Sequence, residues 1–273
     1  VLSLLFLVTV VIWSVFLEKK DGLLTVAFLD VGQGDAIFIE APNGNQMIVD
    51  GGSGPAVLRK LGNIMPLYDR SLDVVVATHP DKDHIGGLPD VLRAYKVDFL
   101  LRSGAKNNTG VYRELNSISK EGNVQEVLAR RGMIIHLGEG AYAEILFPDR
   151  DVSQADPNEA SIVMRVVYGD TKILLTGDSP KKIEKYLTSL YGKYLESDIL
   201  KVGHHGSKTS TSNYFLSAVQ PSISIISAGI NNRYGHPHKE VITLLEKIKS
   251  NIISTSESGT IIIKSDGKNI ILK

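Results

Sequence analysis

The chain opens on an unbroken apolar run. Val1 to Leu17 holds no charge and only Ser3, Thr9 and Ser14 as polar side chains, before Glu18-Lys19-Lys20-Asp21 closes it. A membrane-spanning helix needs about 17–25 such residues, whereas a helix buried in a core normally keeps a polar face. No basic segment precedes the run and no small-residue cleavage site follows it, which argues against a secretory leader. The pattern predicts a transmembrane helix over 1–20, the end of a larger membrane region, and a soluble domain over 22–273. Lys19-Lys20 votes weakly for a cytoplasmic domain by the positive-inside rule.

From Leu23 onward, short apolar runs bounded by turn residues alternate with amphipathic stretches. Strands are predicted over 23–30, 36–40, 46–50, 72–77, 97–102, 133–137, 142–147, 161–168, 172–176, 197–202 and 223–227. A closing hairpin is predicted over 259–264 and 269–272. Helices are predicted over 56–64, 88–96, 212–219 and 239–250, over 111–131 with a break at Gly122, and after Pro180, a residue tolerated in a first turn. Two blocks of alternating strands and helices suggest two packed sheets with helices outside.

Composition changes this picture little. Lys+Arg and Asp+Glu stand at 30 each, so a surface for a polyanion must be a local patch. The absence of cysteine excludes disulfides, thiolate zinc sites and a cysteine nucleophile.

Chemistry gathers at Thr78-His79-Pro80-Asp81-Lys82-Asp83-His84-Ile85-Gly86-Gly87, directly after the buried-strand pattern Leu72 to Ala77. Two imidazoles and two carboxylates in six residues repel or desolvate one another unless a cation sits among them. Three other sites repeat the logic of an apolar strand that ends in a ligand: Asp178, His204, and the pair His236 and His238. Alone, an Asp after Gly is more often a turn residue and a loop His a solvated one. Ser207, Lys208, Thr209 and Ser210 add hydroxyls and a cation near His204, suited to a phosphate or simply to capping the next helix.

His79-x-Asp81-x-Asp83-His84, Asp178 within Thr-Gly-Asp, and His204 resemble the metal motifs of the metallo-β-lactamase superfamily. Phe28 to Asp35, Thr78 to Gly87, Leu175 to Asp178, Leu200 to Ser207 and Tyr234 to His238 further resemble the C-terminal hydrolase domain of ComEC, the competence DNA-uptake channel. The resemblance implies an α/β fold, an αββα sandwich with its site at one edge between the sheets, and an extracytoplasmic domain attached to a membrane channel. It implies two divalent ions, with His79 and Asp81 holding one, Asp83, His84 and His204 the other, and Asp178 bridging. His205 takes the lesser place beside His204. Asp81 stands where many members have a histidine; His136, inside an apolar strand, reads as structural, and Asn158 occupies the loop instead. This oxygen-rich donor set favours manganese, with zinc second.

The resemblance implies a metal-dependent nuclease that degrades one DNA strand with an activated water. Asp83 and Asp178 are the expected catalytic carboxylates, and His236 a phosphate contact or proton donor. His205, Ser207, Lys208, His236 and His238 are the expected substrate contacts. The implied partners are single-stranded DNA, the channel portion of the same protein and other competence proteins. Two alternatives compete: hydrolysis of another ester or a lactam, and a non-catalytic DNA-binding or scaffolding domain whose metals brace the fold. Tyr112, Arg113, Arg233 and Tyr234 are the candidate platforms for a single strand.

Overall fold

A computed structural model describes Phe6, Thr9 and residues 22–273. The span expected over 1–20 lies, but for those two residues, outside the described residues. Among the described residues no helix is long and apolar enough to cross a membrane.

The chain first lays down β1 (Leu24–Phe28), β2 (Ile37–Glu40), β3 (Gln46–Val49), β4 (Ser71–Ala77), β5 (Lys96–Arg102) and β6 (Gln125–Leu128). Next come β7 (Ile134–Gly138), β8 (Ala141–Phe147), β9 (Val163–Tyr168), β10 (Thr171–Leu175), β11 (Ile199–Lys201), β12 (Ile223–Ile226) and β13 (Asn251–Ser254). The hairpin of β14 (Ile261–Ser265) and β15 (Ile270–Leu272) then returns to the first group. One sheet runs β15-β14-β1-β2-β3-β4-β5-β6, and the other β13-β12-β11-β10-β9-β8-β7. Interspersed with the strands along the chain are helices α1 (Ala56–Ile64), α2 (Lys82–Ile85), α3 (Leu88–Ala94), α4 (Gly110–Glu121), α5 (Lys181–Tyr191), α6 (Asn213–Val219), α7 (Lys239–Lys247) and α8 (Thr255–Ser258).

Alternation along each strand builds the layers. In β4, Val74 and Val76 enter the core between the sheets, while Val75 and Ala77 face the opposite side with Leu61 of α1 and Val91 of α3. In β10, Ile173 and Leu175 face the same central core, and Leu174 packs outward with Leu187 of α5 and Phe215 of α6. A strand covered on both faces reads as continuously apolar, which is why 72–77 and 172–176 are so legible. Burying each such side chain contributes about 1.5–3 kcal/mol. The result is the expected αββα sandwich.

Three expectations need correction. The helix predicted over 111–131 stops at Glu121, and 125–128 is the edge strand β6, paired parallel to β5. Asn123, at φ 52°, turns the chain there, and Val127 packs against the central core. The helix predicted over 239–250 ends at Lys247, and 251–254, assigned to no element from the sequence, is the strand β13, paired parallel to β12. His136 is exposed on the edge strand β7 rather than buried.

Candidate metal centre

Parallel pairing decides where the chemistry collects. Strands β3 and β4 run parallel, as do β10, β11 and β12, so the residues after them emerge at aligned ends. In open α/β sheets this carboxyl edge is where ligands bind. Asp50 follows β3, Thr78 and His79 follow β4, Asp178 follows β10, and His204 and His205 follow β11. Helix α2 carries Asp83 and His84 over the same edge.

Asp178 is the hub. Its Oδ1 lies 3.2 Å from His84 Nε2, and its Oδ2 lies 3.5 Å from His204 Nε2, 3.6 Å from His205 Nε2 and 3.8 Å from His79 Nε2. Asp81 Oδ2 stands 3.8 Å from His79 Nε2, and Asp83 Oδ2 stands 3.4 Å from His205 Nε2. Asp35, His84, Asp178 and His205 are all buried, and each offers a ligand atom within 4.8 Å of the others.

Hydrogen bonds on the far side of each ring fix which nitrogen faces this hub. Asp50 accepts from the Thr78 hydroxyl at 2.7 Å, from the Thr78 backbone N–H at 2.8 Å and from His84 Nδ1 at 2.7 Å. Having donated to Asp50, the Thr78 hydroxyl accepts from His79 Nδ1 at 3.0 Å. His205 Nδ1 donates to the Ser227 carbonyl at 2.9 Å. Thr209 donates its hydroxyl to Ser207 and so accepts from His204 Nδ1 at 3.1 Å. All four rings therefore spend Nδ1 outward and turn Nε2 inward, the arrangement metal-ligating histidines adopt.

Charge follows the same geometry. Burial pushes His79 down to about 3, so its Nε2 carries a lone pair, and that buried atom has no hydrogen-bond partner. Burial opposes charge on His84 and His205 too, but Asp178 with Asp50 lifts His84 well above the usual imidazole range, and Asp178 with Asp35 lifts His205 to about 9. Burial works against ionised Asp178, yet His84 and His205 hold its carboxyl well below the ordinary range. Burial, then Asp83 and Asp178, raise Asp81 to about 6 against the pull of His84. The Nε2 atoms of His84 and His205 sit 3.3 Å apart. Facing imidazole nitrogens, an unpartnered His79 Nε2 and converging carboxylates form a nitrogen–oxygen donor set that fits divalent cations.

Of the expected site residues, His79, Asp81, Asp83, His84, Asp178 and His204 are brought together here. His205 is buried and joins His84, Asp35 and Asp178, while His204 is a quarter exposed. Both sit in left-handed backbone, at φ 50° and 55°, a strain that local packing must hold. A cavity of ≈ 160 Å³ opens over the hub, lined by Gln33, Asp81, Asp83, Tyr234, His236 and the histidine pair among others. His236 rests 5.6 Å from the Tyr234 ring, its Nδ1 is buried without a partner, and burial pushes it down to about 4. Ser207 turns into its own loop, accepting from Thr209. His238 Nδ1 accepts from the Lys208 backbone N–H and staples the two loops, while the Lys208 side chain is exposed.

Sequence reasoning missed Asp50, Ser161, Gln33 and Lys201. Ser161 Oγ accepts from the Asp178 N–H at 3.2 Å, and Gln33 Oε1 accepts from the Gly229 N–H at 3.2 Å. Asp50 carried much the same signal as Asp178, a carboxylate at the end of an apolar strand and next to a glycine. Asp50→Asn should lower metal affinity by about 10–100-fold, read by calorimetric titration, because it withdraws the acceptor that orients both His84 and Thr78. Unchanged affinity would refute that role. Gly34, at φ +121°, is also required, since a Cβ there would stand 2.0 Å from the Asp83 carbonyl oxygen.

The sequence profile of the Metallo-beta-lactamase superfamily matches residues 29–230. ComE operon protein 3 of Bacillus subtilis is 34% identical over 255 residues, covering 86% of this chain and 32% of that protein. Competence protein ComA of Neisseria gonorrhoeae is 30% identical over 236 residues, covering 86% of this chain and 31% of that protein. The chain thus spans about a third of these relatives. A metallo hydrolase of Ignicoccus hospitalis superposes with a TM-score of 0.53 at 13% identity, over 87% of this chain and 98% of that one, and shares the fold.

Proposed function

The chain belongs to the metallo-β-lactamase superfamily, and from that premise we propose that it is a metal-dependent phosphodiesterase that degrades one DNA strand during DNA uptake. One observation carries the reading: four histidines converge on Asp178, with Asp81 and Asp83 against two of them, beneath an open cavity. Similarity to a relative named as a competence protein supplies the link to DNA. Placement on the extracytoplasmic side of a membrane channel, with that channel and other competence proteins as partners, is part of the same proposal.

His79, Asp81, Asp83, His84, Asp178 and one or both of His204 and His205 would hold two divalent ions, manganese before zinc. When bound, these ions supply Lewis-acid polarisation of a phosphate and a lower pKa for water. The protein's own groups do the rest. Burial opposes charge on Asp83, but its hydrogen bond to His205 and the nearby His84 hold it at about 2, so it is ionised at neutral pH. It is also partly exposed to the cavity, placed to orient a water and accept its proton. His236, neutral when the site is free, can accept a hydrogen bond at Nδ1. An anionic phosphate beside it would raise its pKa and let it protonate a leaving oxygen.

A metal-by-substrate panel tests this. With Mn²⁺ the purified chain is expected to cleave linear single-stranded DNA, and chelation to stop it. Hydrolysis of a lactam or another ester with DNA untouched would replace the reading with the broader hydrolase one. Metal binding with no turnover of any substrate would replace it with a scaffold.

A further inference from the structure

A second cavity, ≈ 390 Å³, shares a wall with the metal centre. Its lining includes His79 and Pro80, and beyond them Arg102, Lys106, Tyr112 and Arg130. Lys106 adjoins Asn107, whose side-chain amide lies 3.5 Å from both the Pro80 carbonyl and Asp81 Oδ1, so the cavity borders the hub directly.

Its cations are incompletely matched. Arg102 donates Nη1 to Asn116 at 2.6 Å and lies 3.4 Å from Glu126, while its Nη2 is buried with no acceptor. Arg130 spends Nη1 on the carbonyls of Ser103 and Ala129, and neither it nor Lys106 forms an ion pair among the described residues. The acids present are Glu126, already engaged by Arg102 and by the Ser119 hydroxyl at 2.6 Å, and Asp151, a surface carboxylate close enough to feel both Arg130 and Lys106 without pairing directly with either. Buried donors in native proteins are rarely left without an acceptor. The Tyr112 ring lies 5.3 Å from the Arg102 guanidinium carbon, and Leu128 and Pro80 add apolar surface. Three cations, one unfilled donor and an aromatic wall match a group that pairs an anion with a flat ring. The volume also falls within the roughly 300–1,000 Å³ usual for small-molecule sites.

We propose that this cavity takes a nucleotide, its phosphate on Arg130 and Lys106 with the Arg102 charge behind them, and its apolar part against Tyr112 and Leu128. The inference rests on the phosphodiesterase reading for its biological sense: the nucleotide is either the unit flanking the cleaved phosphate or the released mononucleotide. The binding itself does not require cleavage.

The test uses the whole chain in chelator with deoxyadenosine 5′-monophosphate as probe, followed by calorimetry. Binding is expected, and both Lys106→Ala and Arg130→Gln should weaken it about tenfold, one lost charge-assisted contact each, with Arg130→Lys recovering part. Lys106 is exposed, so its variant separates binding from folding. In the second arm, KM and kcat are measured on a short single strand with Mn²⁺. A rise in KM of about tenfold, kcat holding, assigns the cavity to the flanking unit. Weakened probe binding with KM unchanged assigns it to the released mononucleotide. Probe affinity unmoved by all three substitutions, or equal affinity for deoxyadenosine lacking phosphate, overturns the proposal. A chain that cuts no DNA would sink the phosphodiesterase reading and leave the first arm standing.

Discussion

Asp178→Asn is expected to lower DNA cleavage by about 10³-fold or more, the scale of losing one essential electrostatic group in a closed site. The carboxamide keeps the shape and loses the charge that four Nε2 atoms surround. Asp83→Ala should give a comparable loss by a different route. Asp83 is only partly buried and lines the cavity, so its removal takes away a proton acceptor without opening the core. The two variants should separate in metal titration, where Asp178→Asn loses most of the affinity and Asp83→Ala less. Far-ultraviolet circular dichroism should be unchanged for both. Robust cleavage by both variants would refute the mechanism.

The strands that carry the site were legible because burial on both faces leaves a continuous apolar run, and such a run has no other home. So were ligands following those runs, since parallel strands bring their ends together. What escaped were residues whose importance lies in a partner distant in sequence. Asp50 acts through His84, 34 residues away, and Lys201 through Asp35, 166 residues away. The same limit explains the histidine pair. Adjacent residues in an extended loop would point to opposite sides, which favours choosing one. Left-handed backbone at both positions instead lets His204 and His205 reach Asp178 together. The strands β6 and β13 were hidden for a related reason: each is a short edge strand, defined by one neighbour more than by its own pattern.

Lys201→Met should cost about 3–5 kcal/mol, the penalty for leaving a buried charge without its partner. Lys201 is 0% exposed and its Nζ lies 2.7 Å from Oδ2 of the equally buried Asp35. Burial disfavours ionised Asp35, but Lys201 and then His205 hold its carboxyl below the ordinary range. That depressed pKa sets the sign: the pair's stabilisation is complete above the unfolded value of about 4 and fades as pH falls through the lower folded value. Without Lys201, burial raises the carboxyl against the remaining pull of His205 and His84, and protonation then relieves part of the folded state's cost. The deficit of the variant is therefore largest at neutral pH and shrinks on acidification. For a chain of this size the neutral-pH melting temperature should drop by roughly 6–20 °C. Adding Asp35→Asn should return much of that stability, because a neutral pair avoids the desolvation cost. It should lower metal affinity, because it removes the carboxylate charge that lies 3.3 Å from His205 Nδ1 beside the hub. Stability and metal binding would then part in one double variant, as they must if the pair braces the centre as well as the fold. A Lys201→Met protein that melts with the wild type at neutral pH would refute the view that Lys201 is what compensates the buried Asp35 charge.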